Sequence, residues 1–82
     1  MQDQSIVDRI NELSHQEEAL WERAGEDGGG LEAPEREQLD RIAVQLDQCY
    51  DLLRQRSARR SAGLDPDEAR VRPAEVVESY KQ

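Results

Sequence analysis

Four arginines near the end of a predicted helix are the residues of this chain with the most distinctive chemistry. They are Arg54, Arg56, Arg59 and Arg60, and no acidic residue lies between them. A guanidinium group donates paired hydrogen bonds to carboxylates and phosphates. This arginine cluster is therefore a candidate anion-binding or partner-binding surface. Helical spacing places Arg56, Arg59 and Arg60 on one side of the helix and Arg54 on another.

Three roles are open for the arginine cluster. Cations at the C-terminus of a helix are stabilised by the helix dipole, and Glu75, Glu78 or the Asp3 and Asp8 of a second copy are available as partners. The sequence favours this structural role. An acidic protein partner is the second interpretation. RNA or DNA is the third, because no aromatic side chains accompany the arginines to stack on bases.

Cys49 and His15 are the other candidates for reactive side chains. A thiol reacts when it is exposed and close to positive charge, but Cys49 falls on an apolar helical row, which favours a buried structural thiol. His15 has Glu12, Glu18 and Glu22 along the same helix, yet a metal site built from them would need ligands from a second helix or chain. We therefore expect no metal ion and no cofactor.

General acid-base catalysis could draw on any of the 19 acidic residues. Such catalysis requires a concave pocket, poor in water, that perturbs the pKa values of the carboxylates. A thin helical hairpin offers little room for one, so we expect no enzymatic activity.

Two long helices are predicted to position these residues. The first covers about residues 3–24, because apolar side chains recur every three or four positions, with Glu17 at the one missing position. Val7 and Trp21 widen this row to that of a bundle helix, and Asp3 or Ser5 is the expected N-cap. The row consists of Ile6, Ile10, Leu13, Leu20 and Ala24.

The second helix is predicted over about residues 34–62. Pro34 suits its first position, and Gly63 suits a left-handed residue just beyond its end. A glycine-rich loop, residues 25–33, separates the helices and lacks the Gly-Lys-Ser/Thr ending of a phosphate-binding loop. The apolar row of this helix consists of Leu39, Ile42, Leu46, Cys49 and Leu53.

The remaining residues, 64–82, form a predicted tail. Asp65 is a suitable N-cap and Pro66 a suitable first residue for a short helical turn. Ala74 to Tyr80 can either form a last helical turn or remain mobile. The chain thus divides into a helical hairpin, residues 1–63, and this tail.

An antiparallel hairpin brings the two apolar rows together. With Ala24 opposite Glu35, Leu13 lies near Leu46 and Ile10 near Cys49. In this register the first helix has no residues left to oppose those beyond about residue 56.

A second copy is expected to complete a four-helix bundle. One hairpin provides few packing contacts for Val44, Leu52 and Trp21. In addition, a core this small rarely stabilises a protein alone. The predicted fold is therefore an all-α antiparallel two-helix hairpin with a short, partly helical tail, paired as a homodimer.

Charge and composition limit the cellular setting. The net charge is −8, the single cysteine excludes an internal disulfide, and no apolar segment approaches the roughly 20 residues that span a bilayer. No secretory signal precedes the first helix. We expect a cytoplasmic protein without membrane contact.

The chain from Leu46 to Arg56, followed by Ala58-Arg59-Arg60, Asp65-Pro66-Asp67-Glu68-Ala69 and Val71-Arg72-Pro73, resembles short actinobacterial proteins of the domain of unknown function 2630. The likeness covers nearly the whole chain, although Ala33 stands where a Ser or Thr often precedes the proline. It implies a bacterial, cytoplasmic, stand-alone unit and no particular activity.

The expected function is therefore that of a small helical protein-interaction module or adaptor that dimerises through its apolar helix faces. The alternative is a nucleic-acid-associated accessory protein that uses the Arg54–Arg60 end. Besides the second copy, we expect a further protein partner of unknown identity.

Overall fold

The computed structural model describes residues 2–25 and 29–78. Two long helices, α1 (Asp3–Ala24) and α2 (Ala33–Ser61), are followed by a 3-10 turn at Pro66–Glu68 and a short helix, α3 (Ala74–Glu78). No strand occurs in these two ranges. The predicted all-α hairpin with a short, partly helical tail is confirmed.

Ion pairs at both ends of the hairpin define its antiparallel register. At the loop end, Nη2 of Arg23 lies 3.0 Å from Oε2 of Glu35. At the open end, the guanidinium of Arg56 binds the carboxylate of Asp3. Each pair joins residues that face each other when Ala24 is placed opposite Glu35, so the helices pack in the register expected from their apolar rows.

The core consists of two adjoining groups of apolar side chains. The group nearer the loop contains Leu13, Leu20, Ala24, Leu31, Leu39 and Ile42. The group nearer the open end contains Ile6, Ile10 and Leu52. Leu46 and Cys49 are partly buried and pack against both groups, which makes the core continuous along the hairpin.

The loop side of the hairpin is closed by Gly30 and Leu31. The Gly30 amide donates to the Ala24 carbonyl at 3.0 Å, and a Cβ at Gly30 would lie only 2.8 Å from the Arg23 carbonyl oxygen. A glycine is required here because the backbone passes so close to α1. Leu31, which the helical rows did not include, is 6% exposed and belongs to the core.

The helix ends show one wrong prediction and one expected motif. The N-cap of α1 is Gln2, not Asp3 or Ser5, because the Asp3 carboxylate binds arginines of α2 instead of the first amides. At the end of α2, Gly63 has φ of 75°. The Gly63 and Leu64 amides donate to the Arg60 and Arg59 carbonyls, which is a Schellman motif.

Glu32 caps the start of α2. Its side chain accepts from the Glu35 amide, and the Glu35 carboxylate accepts from the Glu32 amide, forming a capping box. This arrangement supplies the cap that Ala33 cannot provide.

The tail turns at Gly63 and runs back along α2. The Gln55 side-chain amide donates to the Arg70 carbonyl at 2.7 Å, and that of Gln48 donates to the Arg72 carbonyl at 3.1 Å. Ala69 packs on the core group nearer the open end, and Val77 is 3% exposed. Residues 79 and 80, the end of the predicted last turn, lie outside the described residues.

This path of the tail changes the argument for a second copy. Leu52 is 4% exposed because Ile6 and the tail cover it, so its burial needs no other chain. Val44 is half-buried. Of the three residues that motivated a dimer, Trp21 alone stays well exposed, at 53%.

Candidate functional site

Arg56 is the centre of the arginine cluster and is a buried cation, with 7% of its side chain exposed. Its Nε donates to Asp3, and its Nη1 donates to Asp67 at 3.0 Å and to the Pro66 carbonyl at 3.2 Å. The three acceptors come from the start of α1 and from the tail. A single guanidinium therefore joins the three segments at the open end of the hairpin.

Arg59 and Arg60 complete this arrangement. Nη2 of Arg59 lies 2.6 Å from Glu68, and its Nε donates to the Asp65 carbonyl. Nη2 of Arg60 donates to Asp3 at 2.8 Å. Three cations thus face three carboxylates, and the net charge of the group is close to zero despite its conspicuous basic sequence.

Hydrogen bonds from arginine shift the titration of the carboxylates. Those from Arg60 and Arg56 lower the pKa of Asp3 below its usual 3.8, and the one from Arg56 lowers that of Asp67. In return, Asp3 and then Asp67 raise the pKa of Arg56. The shifts keep Asp3, Asp67 and Arg56 charged at neutral pH, so these three groups form fixed ion pairs.

The partners differ from those expected. The sequence suggested Glu75, Glu78 or the acids of a second copy, whereas the acids that bind are Asp3, Asp67 and Glu68 of the same chain. The expectation that residues beyond about 56 lack a partner on the first helix is also wrong. Asp3 reaches both Arg56 and Arg60, because long arginine side chains extend past the last apolar contact.

Arg54 lies apart from the other three arginines. Its side chain is exposed, and it forms no ion pair with any residue in the two described ranges. The structure thus agrees with the helical spacing, which placed Arg54 on a different side. Among the described residues, Arg54 is therefore the one arginine of the cluster without an ion pair, although the side chain of Arg60 is also 46% exposed.

A second polar group on α2 was not predicted. Asp51 is 3% exposed, and its Oδ2 accepts from the Gln55 amide at 2.9 Å and lies 3.4 Å from Nε of Arg72. A polar row of Gln48, Asp51 and Gln55 at helical spacing was the available signal. It faces the tail and fixes the tail backbone.

Cys49 is partly buried, whereas its position on the apolar row favoured a buried thiol. Burial raises the pKa of its thiol, and the charge of nearby Arg9 opposes that effect. His15 is exposed. Among the residues that the structure describes, no group of three or more His, Cys, Asp or Glu side chains is placed to hold a metal ion.

The predicted core and interface residues separate into two sets. Most are buried or half-buried between the helices, including Leu13, Leu39 and Ile42. Trp21 is the exception and lies on the surface together with Tyr50, which is 47% exposed.

Comparison with known proteins assigns the family. The model of the family described as "Protein of unknown function (DUF2630)" matches residues 2–82. The chain is a member of the DUF2630 family. It is 51% identical over 79 residues to uncharacterized proteins of Mycobacterium bovis and of two Mycobacterium tuberculosis strains, which covers 95% of this chain and 88% of each relative. No solved structure matches.

This match confirms the resemblance to an actinobacterial protein family that the sequence indicated. Neither the family description nor the relatives' names state an activity. In the described part of this DUF2630 protein, no helix is long and apolar enough to cross a membrane.

Proposed function

We propose that this DUF2630 protein is a helical protein-interaction module that pairs with a second copy of itself, and that it is not an enzyme. The observation that carries the proposal is the exposure of Trp21 and Tyr50, at 53% and 47%, on an otherwise highly charged chain. Aromatic side chains are enriched at protein interfaces because each buries a large area with little loss of conformational freedom.

Both aromatic residues lie on rows with a seven-residue repeat. On α1 the row is Val7, Ser14 and Trp21, and on α2 it is Ala43, Tyr50 and Ser57. A repeat of seven keeps side chains on one side of a helix over several turns. The small members of these rows allow a neighbouring helix to approach closely.

The two rows lie on the side of the hairpin away from the tail. On α1 the tail side is marked by Ser5 and Arg9, which border a cleft that Val71 of the tail also lines. On α2 it is marked by Gln48 and Leu52. Since the tail covers one side of the hairpin, the proposed interface is the other side, and a second hairpin there forms a four-helix bundle.

The test is the molar mass of the chain and of two matched variants, Trp21→Glu and Leu64→Glu, by light scattering at tens of micromolar. Both changes place a carboxylate at an exposed apolar residue, since Leu64 is 54% exposed, but Leu64 lies beyond α2 and outside the two rows. We expect twice the chain mass for the parent and Leu64→Glu, and the chain mass for Trp21→Glu with unchanged helix content.

A monomeric parent whose melting temperature is independent of concentration would contradict the proposal. Equal masses for the two variants would show that Trp21 does not lie in the interface.

The alternative of a nucleic-acid accessory protein receives less support from the geometry. Phosphate binding needs available cations, whereas Arg56, Arg59 and Arg60 are engaged by carboxylates of the same chain. Arg54 alone is a small basic surface on a protein of net charge −8.

A further inference from the structure

A cleft of about 280 Å³ lies between α1, α2 and the tail, on the opposite side of the hairpin from Trp21. Its apolar lining comes from all three segments: Ile6 of α1, Cys49 and Leu52 of α2, and Val71 of the tail. Val71 is 57% exposed and forms part of its border. A cleft shared by three segments exists only when the tail is docked.

The charge of the cleft is opposite to that of the chain. The protein has 19 acidic and 11 basic residues, yet the described residues that line the cleft include Arg9 and no carboxylate. The other polar lining groups are a hydroxyl and two side-chain amides, which are neutral. The cleft therefore offers an apolar body and a cationic border, which suits an anion with an apolar part.

Arg9 is available to such an anion. It forms an ion pair with Glu12, one turn along α1 at 3.4 Å, and the two side chains are 48% and 60% exposed. An exposed ion pair of this kind contributes little to stability, so a ligand carboxylate can replace Glu12 at modest cost. A guanidinium that swings between the two carboxylates needs no change in the backbone.

The volume limits the size of the ligand. The cleft volume is about 280 Å³. This is at the lower end of small-molecule sites. A chain of about eight carbons ending in a carboxylate has a suitable volume and charge.

We propose that this cleft binds a small amphiphilic monocarboxylate, with its alkyl body against Cys49 and Val71 and its carboxylate at Arg9. The proposal is independent of the dimer, because the cleft lies on the tail side of the hairpin.

Cys49 is a built-in reporter for this site. It is the one cysteine of the chain and lies in the cleft lining. Its alkylation by iodoacetamide therefore produces a single product, and a bound alkyl chain covers the sulfur. The alkylation rate with ligand, divided by the rate without it, measures occupancy within any one variant.

The experiment compares sodium octanoate, octylamine and 1-octanol, each below its aggregation limit, as protectants of Cys49. The three share an alkyl body and differ in the charge of the head group. We expect octanoate to slow alkylation several-fold and saturably, and octylamine and octanol to have much weaker effects. Arg9→Gln should remove the preference for octanoate, whereas Arg54→Gln, a change at an exposed arginine outside the cleft, should retain it.

Both variants replace an exposed side chain, so we expect them to fold. Circular dichroism of each variant checks this. Absence of protection by octanoate would overturn the proposal. Equal protection by all three compounds would also overturn it, because simple apolar contact would then account for binding without recognition by Arg9. Retention of the octanoate preference in Arg9→Gln would exclude the proposed anion contact.

Discussion

Leu13→Ala is the most direct test of the hairpin core. Among the described residues, Leu13 is the large side chain most completely removed from solvent, with 1% exposed, and it packs in the core group nearer the loop. Leu64→Ala is the matched control. It makes the same chemical change at a residue that is 54% exposed.

The magnitude follows from burial. Truncating a fully buried leucine to alanine costs about 3 kcal/mol, from lost apolar contact and from the cavity that remains. An exposed substitution costs less than about 0.5 kcal/mol. Because 1 kcal/mol lowers the melting temperature of a domain this size by about 4–8 °C, we expect a fall of about 12–24 °C for Leu13→Ala and a few degrees for the control.

The consequence at room temperature is equally specific. A core of this size supplies about 3–5 kcal/mol, so a free energy of unfolding of only about 0–2 kcal/mol should remain for Leu13→Ala near 25 °C. Far-ultraviolet circular dichroism during heating, with all proteins at one concentration, measures both effects. A melting temperature for Leu13→Ala within a few degrees of that of Leu64→Ala would refute the packing register, because Leu13 would then not be in the core.

Three further predictions concern the ends of the hairpin. Arg56→Gln should lower the melting temperature and weaken the amide-exchange protection of the tail, because Asp3 and Asp67 lose their shared cation. Unchanged protection would show that Arg56 does not hold the tail in place. Since arginine lowers the pKa of both acids, their stabilisation is present above about pH 4 and is lost as pH falls through the lower folded-state values; thermal melts from pH 7 to pH 2 should show this loss in the parent and less of it in Arg56→Gln. Gly30→Ala should destabilise the chain more than Gly63→Ala, because the first adds a backbone clash and the second only a strained φ in open space. Urea titrations that show the larger loss of stability for Gly63→Ala would contradict the described loop.

The helices were predictable because their signals are local. The apolar rows, the glycine-rich interruption and Gly63 each act within a few residues, so the helix bounds from the sequence differ from the observed ones by about one residue. Asp65 likewise accepts from the Asp67 amide and caps the 3-10 turn as expected. Leu31 escaped prediction because it belongs to neither helical row and is buried only when the loop closes.

The candidate site was predictable in composition but not in role. The arginine cluster was recognised from its charge and spacing, whereas its partners depend on where the tail goes. Placing Ala24 opposite Glu35 already puts Asp3 opposite Arg56, so this contact could have been inferred from the register. The contacts of Arg56 and Arg59 with Asp67 and Glu68 could not, because they require the tail to turn at Gly63 and follow α2.

The sequence by itself therefore determined the all-α class, the two helices and their register, because apolar periodicity and chain-breaking glycines act locally. Only the tertiary structure decided that the arginine cluster is largely neutralised within the chain. The Arg56–Asp3 contact joins residues 53 positions apart, and the tail contacts depend on a reversal of the chain after α2. The physical reason is that an ion pair forms where folding brings opposite charges together. The residues next to each partner in the sequence do not indicate how close the two charges will be.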